Sequence, residues 1–194
     1  MIKNVVLLSI LSVLPATLTY AQGAKSAAKS TESKSSASKK ADSKRAAKIS
    51  PECKFNINGN DEMHYTATIG SKPVISPAFD ISIPKSCPLF EITLTHIGKL
   101  PKEAMGHNIV IAETANLEKI ATGGSTFKDK DYIDPKADSL VIAHSSVVGG
   151  GDHTTATIDT TKLDPKKDYS FFCTFPGHFA LMKGKVLLVD KPVK

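Results

Sequence analysis

A short segment near the C-terminus brings together three side chains that can bind a soft metal ion. The thiol of Cys173 is followed after four residues by the imidazole of His178, and after three more by the thioether of Met182. Thiolate and thioether are soft ligands, and imidazole suits copper. Apolar runs on both sides, Tyr169–Phe172 and Val186–Val189, predict strands. A short connection with a Pro-Gly turn between two strands would hold these ligands on a rigid scaffold.

A metal site with three ligands from one loop still needs a fourth ligand from another part of the chain. His107 precedes the apolar run 109–111, and Gly106 before it allows the backbone to approach a ligand closely. A single histidine near a strand is more often a packing or surface residue than a ligand. The pattern alone therefore does not separate His107 from the remaining histidines, which are His64, His96, His144 and His153.

The first 21 residues have the organisation of a secretory signal peptide. Lys3 supplies a positive charge, Val5–Val13 is apolar, and Thr19-Tyr20-Ala21 offers a small-residue cleavage site. We therefore predict that residues 1–21 are a signal peptide cleaved near Ala21 and that the mature chain is exported. A lipid-anchored protein would carry a cysteine just after the apolar run, whereas the first cysteine is Cys53.

Residues 22–48 differ in composition from everything that follows. They consist almost entirely of Ala, Ser and Lys, with eight Lys and Arg residues against two acidic ones, a net charge of +6. Without apolar periodicity such a segment cannot bury enough surface to offset its ordering entropy, so we predict a disordered basic linker. It could contact anionic lipid or cell-wall polymer, although a solvated spacer is the simpler interpretation. The remaining 16 basic and 17 acidic residues in 49–194 do not indicate a nucleic-acid-binding domain.

Residues 49–194 are predicted to form one all-β domain. Short segments of alternating apolar and polar residues, such as Leu89–Thr95, are separated by turn-forming Gly, Asn, Asp and Pro residues. We expect seven to eight strands and one short helix over Thr114–Ala121, which Gly123-Gly124 would end. This organisation is typical of a Greek-key β-sandwich.

The three cysteines must divide into a pair and a single residue in an oxidising compartment. Because Cys173 has other metal-binding side chains beside it, we expect a disulfide between Cys53 and Cys87. Alone, Cys173 would be read as a buried structural thiol.

Over most of 52–189 the sequence resembles the azurins, a family of small blue-copper proteins with the cupredoxin fold. The Cys-x4-His-x3-Met spacing with an upstream Gly-His-Asn is specific for this family, because other cupredoxins differ in loop length. Similar segments are Glu52-Cys53, Gly59–Met63, Lys85–Cys87, Leu94–His96, Leu100–Lys102, Met105–Asn108, Asp129–Tyr132, Val141–His144 and Phe171–Gly184.

The resemblance implies one type 1 copper ion per chain. His107, Cys173 and His178 would form a trigonal plane, with Met182 as a weak axial ligand and the Gly106 carbonyl as a distant ligand on the opposite side. Such a site accommodates Cu(I) and Cu(II) with little rearrangement and leaves no position for a substrate, so an enzyme is not expected. The residues implied to support the ligands are Asn108 and Phe175.

The resemblance also implies a monomeric periplasmic electron carrier. Its expected partners are a c-type cytochrome and a terminal reductase or peroxidase, with no nucleic acid and with membrane contact only through the basic tail. Electrons would pass through an apolar docking patch around His178. The patch residues are Met63, Met105, Phe175, Pro176, Gly177, Phe179 and Ala180.

Two other functions fit parts of the sequence. A copper storage, delivery or resistance protein would favour exposed Met- or His-rich tracts, which this sequence lacks. A catalytic Cys173–His178 pair would need an orienting acid and would leave His107 and Met182 unexplained. Zn(II) could also occupy such a site.

The chain departs from the azurin pattern at three places. The interval between the first two cysteines is longer than in the family, which predicts an extra loop at Gly70–Pro77. Ile109 stands where some azurins have a buried Trp, and Gly124 stands where azurins often have a methionine of the docking patch.

Overall fold

A computed structural model of the chain describes residues 49–191, so the predicted signal peptide (1–21) and basic linker (22–48) lie outside the described residues. Two five-stranded sheets share one hydrophobic core. The strands are β1 (Lys54–Gly59), β2 (Tyr65–Ile69), β3 (Lys72–Ile75), β4 (Ile81–Pro84), β5 (Leu89–His96), β6 (Val110–Glu113), β7 (Val141–His144), β8 (His153–Asp159), β9 (Tyr169–Phe172) and β10 (Lys183–Val189).

The helices are short. They are α1 (Lys102–Met105) and α2 (Leu117–Gly123), with short 3-10 helices at Pro51–Cys53, Thr114–Asn116, Gly124–Thr126, Lys128–Lys130, Pro135–Leu140, Thr160–Lys162 and His178–Ala180. Within residues 49–191 no helix has the length and apolar character needed to span a membrane.

The strand order confirms the all-β Greek-key sandwich. One sheet runs β3-β2-β1-β5-β8 and the other β4-β10-β9-β6-β7. Both sheets are mixed, because β1 pairs parallel to β5 and β4 pairs parallel to β10. The sequence predicted seven to eight strands, whereas residues 49–191 form ten.

Alternation along β5 shows why these segments pair as strands. Phe90, Ile92 and Leu94 are almost completely buried, and the residues between them are half-buried. Each buried apolar side chain of this size stabilises the fold by about 1.5–3 kcal/mol. The pleat therefore directs one face of the sheet into the core and fixes its register against β8, with Ile92 opposite Ala156.

The predicted extra loop at Gly70–Pro77 is wrong. Its central half forms β3, which pairs antiparallel with β2 from Ile69↔Lys72 to Thr66↔Ile75. Gly70 lies in the turn with φ +64°, a conformation that favours glycine. The strand has no alternating pattern because it is an exposed sheet edge and includes Pro73, which such an edge tolerates.

The predicted helix is confirmed, with α2 following a 3-10 turn. Its buried side chains, Leu117, Ile120 and Ala121, recur at the spacing of one helix face. They belong to a second apolar cluster with Val110 and Phe172, on strands β6 and β9. The one-turn helix α1 was not predicted.

The predicted disulfide is confirmed. Cys53 and Cys87 are bonded, with their Cα atoms 5.6 Å apart. Cys173 is free and buried, so its thiol remains available to a metal ion.

Candidate metal centre

Three side chains from two parts of the sequence form a buried cluster of metal-binding atoms. The donor atoms of His107, Cys173 and His178 all lie within 4.8 Å of one another. The two Nδ1 atoms are 3.2 Å apart, and the Cys173 Sγ atom is 3.8 Å from Nδ1 of His178. Each of the three residues is at most 3% exposed.

Pairing of β9 with its two neighbours brings the cluster together. β9 pairs with β6, so that Phe172 lies opposite Val110 and the residue after β9 approaches the segment before β6. β9 also pairs with β10, which closes the loop between them at its base, where Cys173 N–H donates to the Met182 carbonyl. We call residues 173–182 the ligand loop. Gly177 has φ +85°, so this loop requires glycine at its turn.

The ring of His107 is held in one orientation. Its Nε2 is 2.8 Å from the Asn60 carbonyl oxygen, so Nε2–H donates there and Nδ1 remains free to bind a metal. The His96 ring stacks on it with centroids 4.4 Å apart and an interplanar angle of 16°. His96 itself is fixed, because its Nε2 contacts the Met105 carbonyl and its Nδ1 accepts from Gly98 N–H. His96 therefore packs behind His107, in agreement with its interpretation as a packing residue.

Gly59 leaves the space that the His107 ring occupies. A Cβ atom at this position would lie 2.6 Å from Cδ2 of the ring and 3.2 Å from Cγ. We therefore expect Gly59→Ala to displace the imidazole and to weaken metal binding by at least about tenfold, because a misplaced ligand forfeits its optimal geometry. Competition with a chromophoric chelator measures this change. Gly123→Ala is the matched control, since nothing lies within 4 Å of its Cβ; equal affinities in the two variants would contradict the role of Gly59.

Burial sets the protonation of the three donors. Burial lowers the pKa of His107 and of His178 to about 4, so both rings are neutral at pH 7 and can donate a lone pair. Burial raises the pKa of Cys173 to about 11, while backbone N–H groups of Asn108 and Phe175 that bond to its sulfur act in the opposite direction. The thiol therefore keeps its proton in the metal-free protein and must release it when a cation binds.

A hydrogen-bond network joins the two ligand-bearing segments. The Asn108 amide donates to Oγ1 of Thr174 at 2.8 Å, and Thr174 N–H donates back to the Asn108 side-chain oxygen at 2.9 Å. Both side chains also donate to the carbonyl of Asp131. His107 and Cys173 each precede one member of this network, so their backbones are held at a fixed separation.

Met182 and Gly106 are also buried and adjacent to the cluster along the chain. Met182 ends the ligand loop with no exposed surface, and its N–H donates to the His178 carbonyl at 2.8 Å. A Cβ on Gly106 would lie 2.5 Å from a methyl of Val147 and 2.6 Å from the Lys102 carbonyl oxygen. Gly106 is therefore required for close packing, whatever its role toward the metal.

The residues of the predicted docking patch differ in their solvent exposure. Phe175 is largely buried, with its ring 4.6 Å from that of His178 and in edge contact with Tyr132. Phe179 is half-buried and packs against the apolar cluster of α2. Leu181, which the sequence did not assign to the patch, is 44% exposed. Among the other members Met63 and Met105 are half-buried, and Pro176, Gly177 and Ala180 are exposed.

Several residues around the cluster were not found from sequence. Thr174 and Asp131 act through hydrogen bonds that join distant segments, and Tyr65 lies in a strand with no metal-binding motif. Gly59, Asp131 and Thr174 lie in segments of the similarity noted above, which indicated the segments but not these contacts.

The donor set fits copper. A metal with two imidazole nitrogens about 2 Å away at trigonal angles would separate them by about 3.5 Å, close to the observed spacing of the Nδ1 atoms. One thiolate beside two neutral imidazoles suits both copper oxidation states. The fold and the site therefore define a copper-binding β-sandwich protein.

Comparison with known proteins gives the family. Residues 51–189 match the family model of copper-binding proteins of the plastocyanin/azurin family. The chain is 42% identical to azurin of Pseudomonas chlororaphis over 138 residues, which cover 71% of this chain and 98% of that protein. It is 41% identical over 138 residues to outer membrane protein H.8 of Neisseria gonorrhoeae, covering 71% of this chain and 68% of that protein.

A solved structure agrees. Azurin Az-iso2 of Methylomonas sp. strain J superposes with a TM-score of 0.61 at 32% identity, covering 71% of this chain and 98% of that chain. The chain belongs to the plastocyanin/azurin family of copper-binding proteins.

Proposed function

We propose that this protein carries single electrons on a type 1 copper centre in the periplasm. The observation that supports this role best is the buried cluster of one thiol and two imidazoles whose donor atoms lie within 4.8 Å. Copper bound there would alternate between its +1 and +2 states. We propose that His107, Cys173 and His178 would hold the ion, with the Met182 thioether and the Gly106 carbonyl as weaker donors.

The fold holds the proposed ligands rigidly. The ring of His107 is fixed by the Asn60 carbonyl and by stacking on His96, and Cys173 is fixed by the bonds at both ends of the ligand loop. Ligands that cannot move favour fast electron transfer because little rearrangement accompanies a change of charge. A delivery protein would instead need a site that opens to release its ion, so the burial of this cluster supports a carrier.

The thioether of Met182 gives a prediction of its own. We expect Met182→Leu to keep copper and its blue colour but to raise the reduction potential, because loss of the thioether removes electron density that favours Cu(II). Leucine keeps a comparable volume, so the core is not left with a cavity. Voltammetry of the variant and the native protein measures the shift. An unchanged potential would contradict the assignment of Met182 as a ligand.

The surface near His178 is the proposed exit for electrons. Exposed small and apolar residues at Pro176, Gly177 and Ala180 surround it on the ligand loop. Such a surface suits brief docking to another redox protein, for which we propose a c-type cytochrome as donor and a terminal reductase or peroxidase as acceptor. The proposed ligands leave no position for a substrate, so the proposed role is that of a carrier and not of an enzyme.

Stopped-flow mixing with a reduced c-type cytochrome tests the carrier role. We expect rapid one-electron oxidation of the cytochrome with bleaching of the copper protein, and a second-order rate constant at least about tenfold lower for Ala180→Asp, which places a charge in the apolar patch. Ala115→Asp is the matched control, since Ala115 is exposed beyond the far end of β6. Absence of electron exchange with native protein would overturn the proposed function.

A further inference from the structure

Tyr65 is a buried polar residue that the ligand assignment does not use. It is the first residue of β2 and has no exposed surface. Its hydroxyl donates a hydrogen bond to the carbonyl of Asn108, the residue that follows His107 in the chain. Its ring packs on Phe171 with centroids 5.8 Å apart, so the hydroxyl cannot swing away from the cluster without disturbing the core.

The acceptor of this hydrogen bond belongs to the residue that joins the two ligand-bearing segments. The backbone N–H of Asn108 bonds to the Cys173 sulfur, and its side chain exchanges two hydrogen bonds with Thr174. A shift of Asn108 would therefore move a donor relative to the sulfur. Tyr65 opposes such a shift from the opposite sheet, because β2 and β6 lie in different sheets.

The backbone of Tyr65 is tied to the other end of the ligand loop. Tyr65 N–H donates to Oγ of Ser76 at 3.2 Å, and Ser76 N–H donates to the Tyr65 carbonyl at 2.8 Å. The Ser76 hydroxyl in turn donates to the Leu181 carbonyl at 3.0 Å. The β2–β3 hairpin, including the strand that the sequence did not predict, thus contacts the segments that carry His107 and Met182.

We propose that Tyr65 is a positioning residue that raises the reduction potential of the copper centre by fixing Asn108 through its main-chain carbonyl, which keeps the backbone N–H of Asn108 directed at the Cys173 sulfur. A hydrogen-bond donor near the sulfur withdraws negative charge from it and so favours Cu(I) over Cu(II). The same withdrawal lowers the energy of the sulfur orbital from which charge moves to copper when blue-copper proteins absorb light.

Removal of the hydroxyl alone tests this role. We expect Tyr65→Phe to remain folded and blue, with about a threefold lower ratio of Cu(I) to Cu(II) at a fixed applied potential, equal to about 28 mV for a one-electron couple. Its thiolate-to-copper band should move to longer wavelength. Voltammetry and visible absorption of the purified full mature chain measure both changes.

Tyr169→Phe is the matched control. Tyr169 is also buried and its hydroxyl accepts from Asp164 N–H at 2.7 Å, but it lies at the opposite end of β9 from Cys173. We expect that variant to lose stability without a change of potential or spectrum. If Tyr65→Phe gave the same potential and band as Tyr169→Phe, the residue would be merely structural and the proposal would be overturned.

A second measurement strengthens the hydroxyl donor instead of removing it. Uniform replacement of tyrosine by 3-fluorotyrosine, whose hydroxyl is a stronger donor, should raise the potential of the native protein and leave that of Tyr65→Phe unchanged. The inference rests on the proposed blue-copper site. A native protein without the blue band would refute the proposed function, whereas a blue native protein insensitive to both changes would refute only the role of Tyr65.

Discussion

The Cys173→Ser variant, loaded with Cu(II), is expected to lose the whole of the intense visible band that the native protein should show. That band requires charge transfer from a thiolate to Cu(II), and the only free thiol of this chain is Cys173. A serine hydroxyl is a harder and weaker ligand, so the ion would lose its thiolate and the affinity would also fall. Absorption spectra at matched copper content measure both effects.

The other two cysteines provide the control for this experiment. Because Cys53 and Cys87 are joined in a disulfide, their replacement should leave the band in place. A blue Cys173→Ser protein, or loss of the band in the disulfide variant with its fold intact, would contradict the assignment of the thiolate ligand.

The double variant Cys53→Ala/Cys87→Ala is expected to lose about 3–4 kcal/mol of unfolding free energy. The bond closes a segment with a sequence separation of 34, and opening it restores that entropy to the unfolded chain. Urea titration of the metal-free protein, followed by far-ultraviolet circular dichroism, measures the change in midpoint. The metal site should be unaffected, since the disulfide lies next to the start of β1 and Gly59, which contacts His107, ends that strand.

Reduction of the native disulfide is the matched control for the disulfide variant. It removes the cross-link without changing the side-chain composition, so it should cost a similar free energy. A loss below about 1 kcal/mol in both experiments would show that the unfolded chain is already compact and that loop closure contributes little.

The sequence correctly predicted the strands whose two faces differ in burial. Along β5 the alternation of buried and half-buried residues is visible in the letters themselves, and α2 shows the spacing of a helix face. β3 carried no such signal, because an exposed edge strand has no face that must be apolar. Its pairing is specified by the Gly70 turn and by the neighbouring strand, which are properties of the hairpin as a whole.

In the candidate metal centre, too, the sequence revealed only the residues that form a local pattern. Cys173, His178 and Met182 were recognised because they lie close together in the sequence. His107 comes from a distant segment, and only the family resemblance selected it among the histidines. Tyr65 reaches the cluster through its hydroxyl, which donates to the Asn108 carbonyl, and its backbone N–H donates to Ser76 in the same hairpin, so no local pattern could reveal its role.

The central claim is that Cys173 and two imidazoles form a blue copper site that accepts one electron. The measurement that tests it most directly is the visible absorption spectrum of the purified mature protein after addition of one equivalent of Cu(II), before and after ascorbate. We predict an intense blue thiolate-to-copper band that disappears on reduction and returns on reoxidation. If the protein bound copper without this band, its ligands would differ from those proposed. If it bound no copper, Cys173 would be a buried structural thiol, and both results would contradict the central claim.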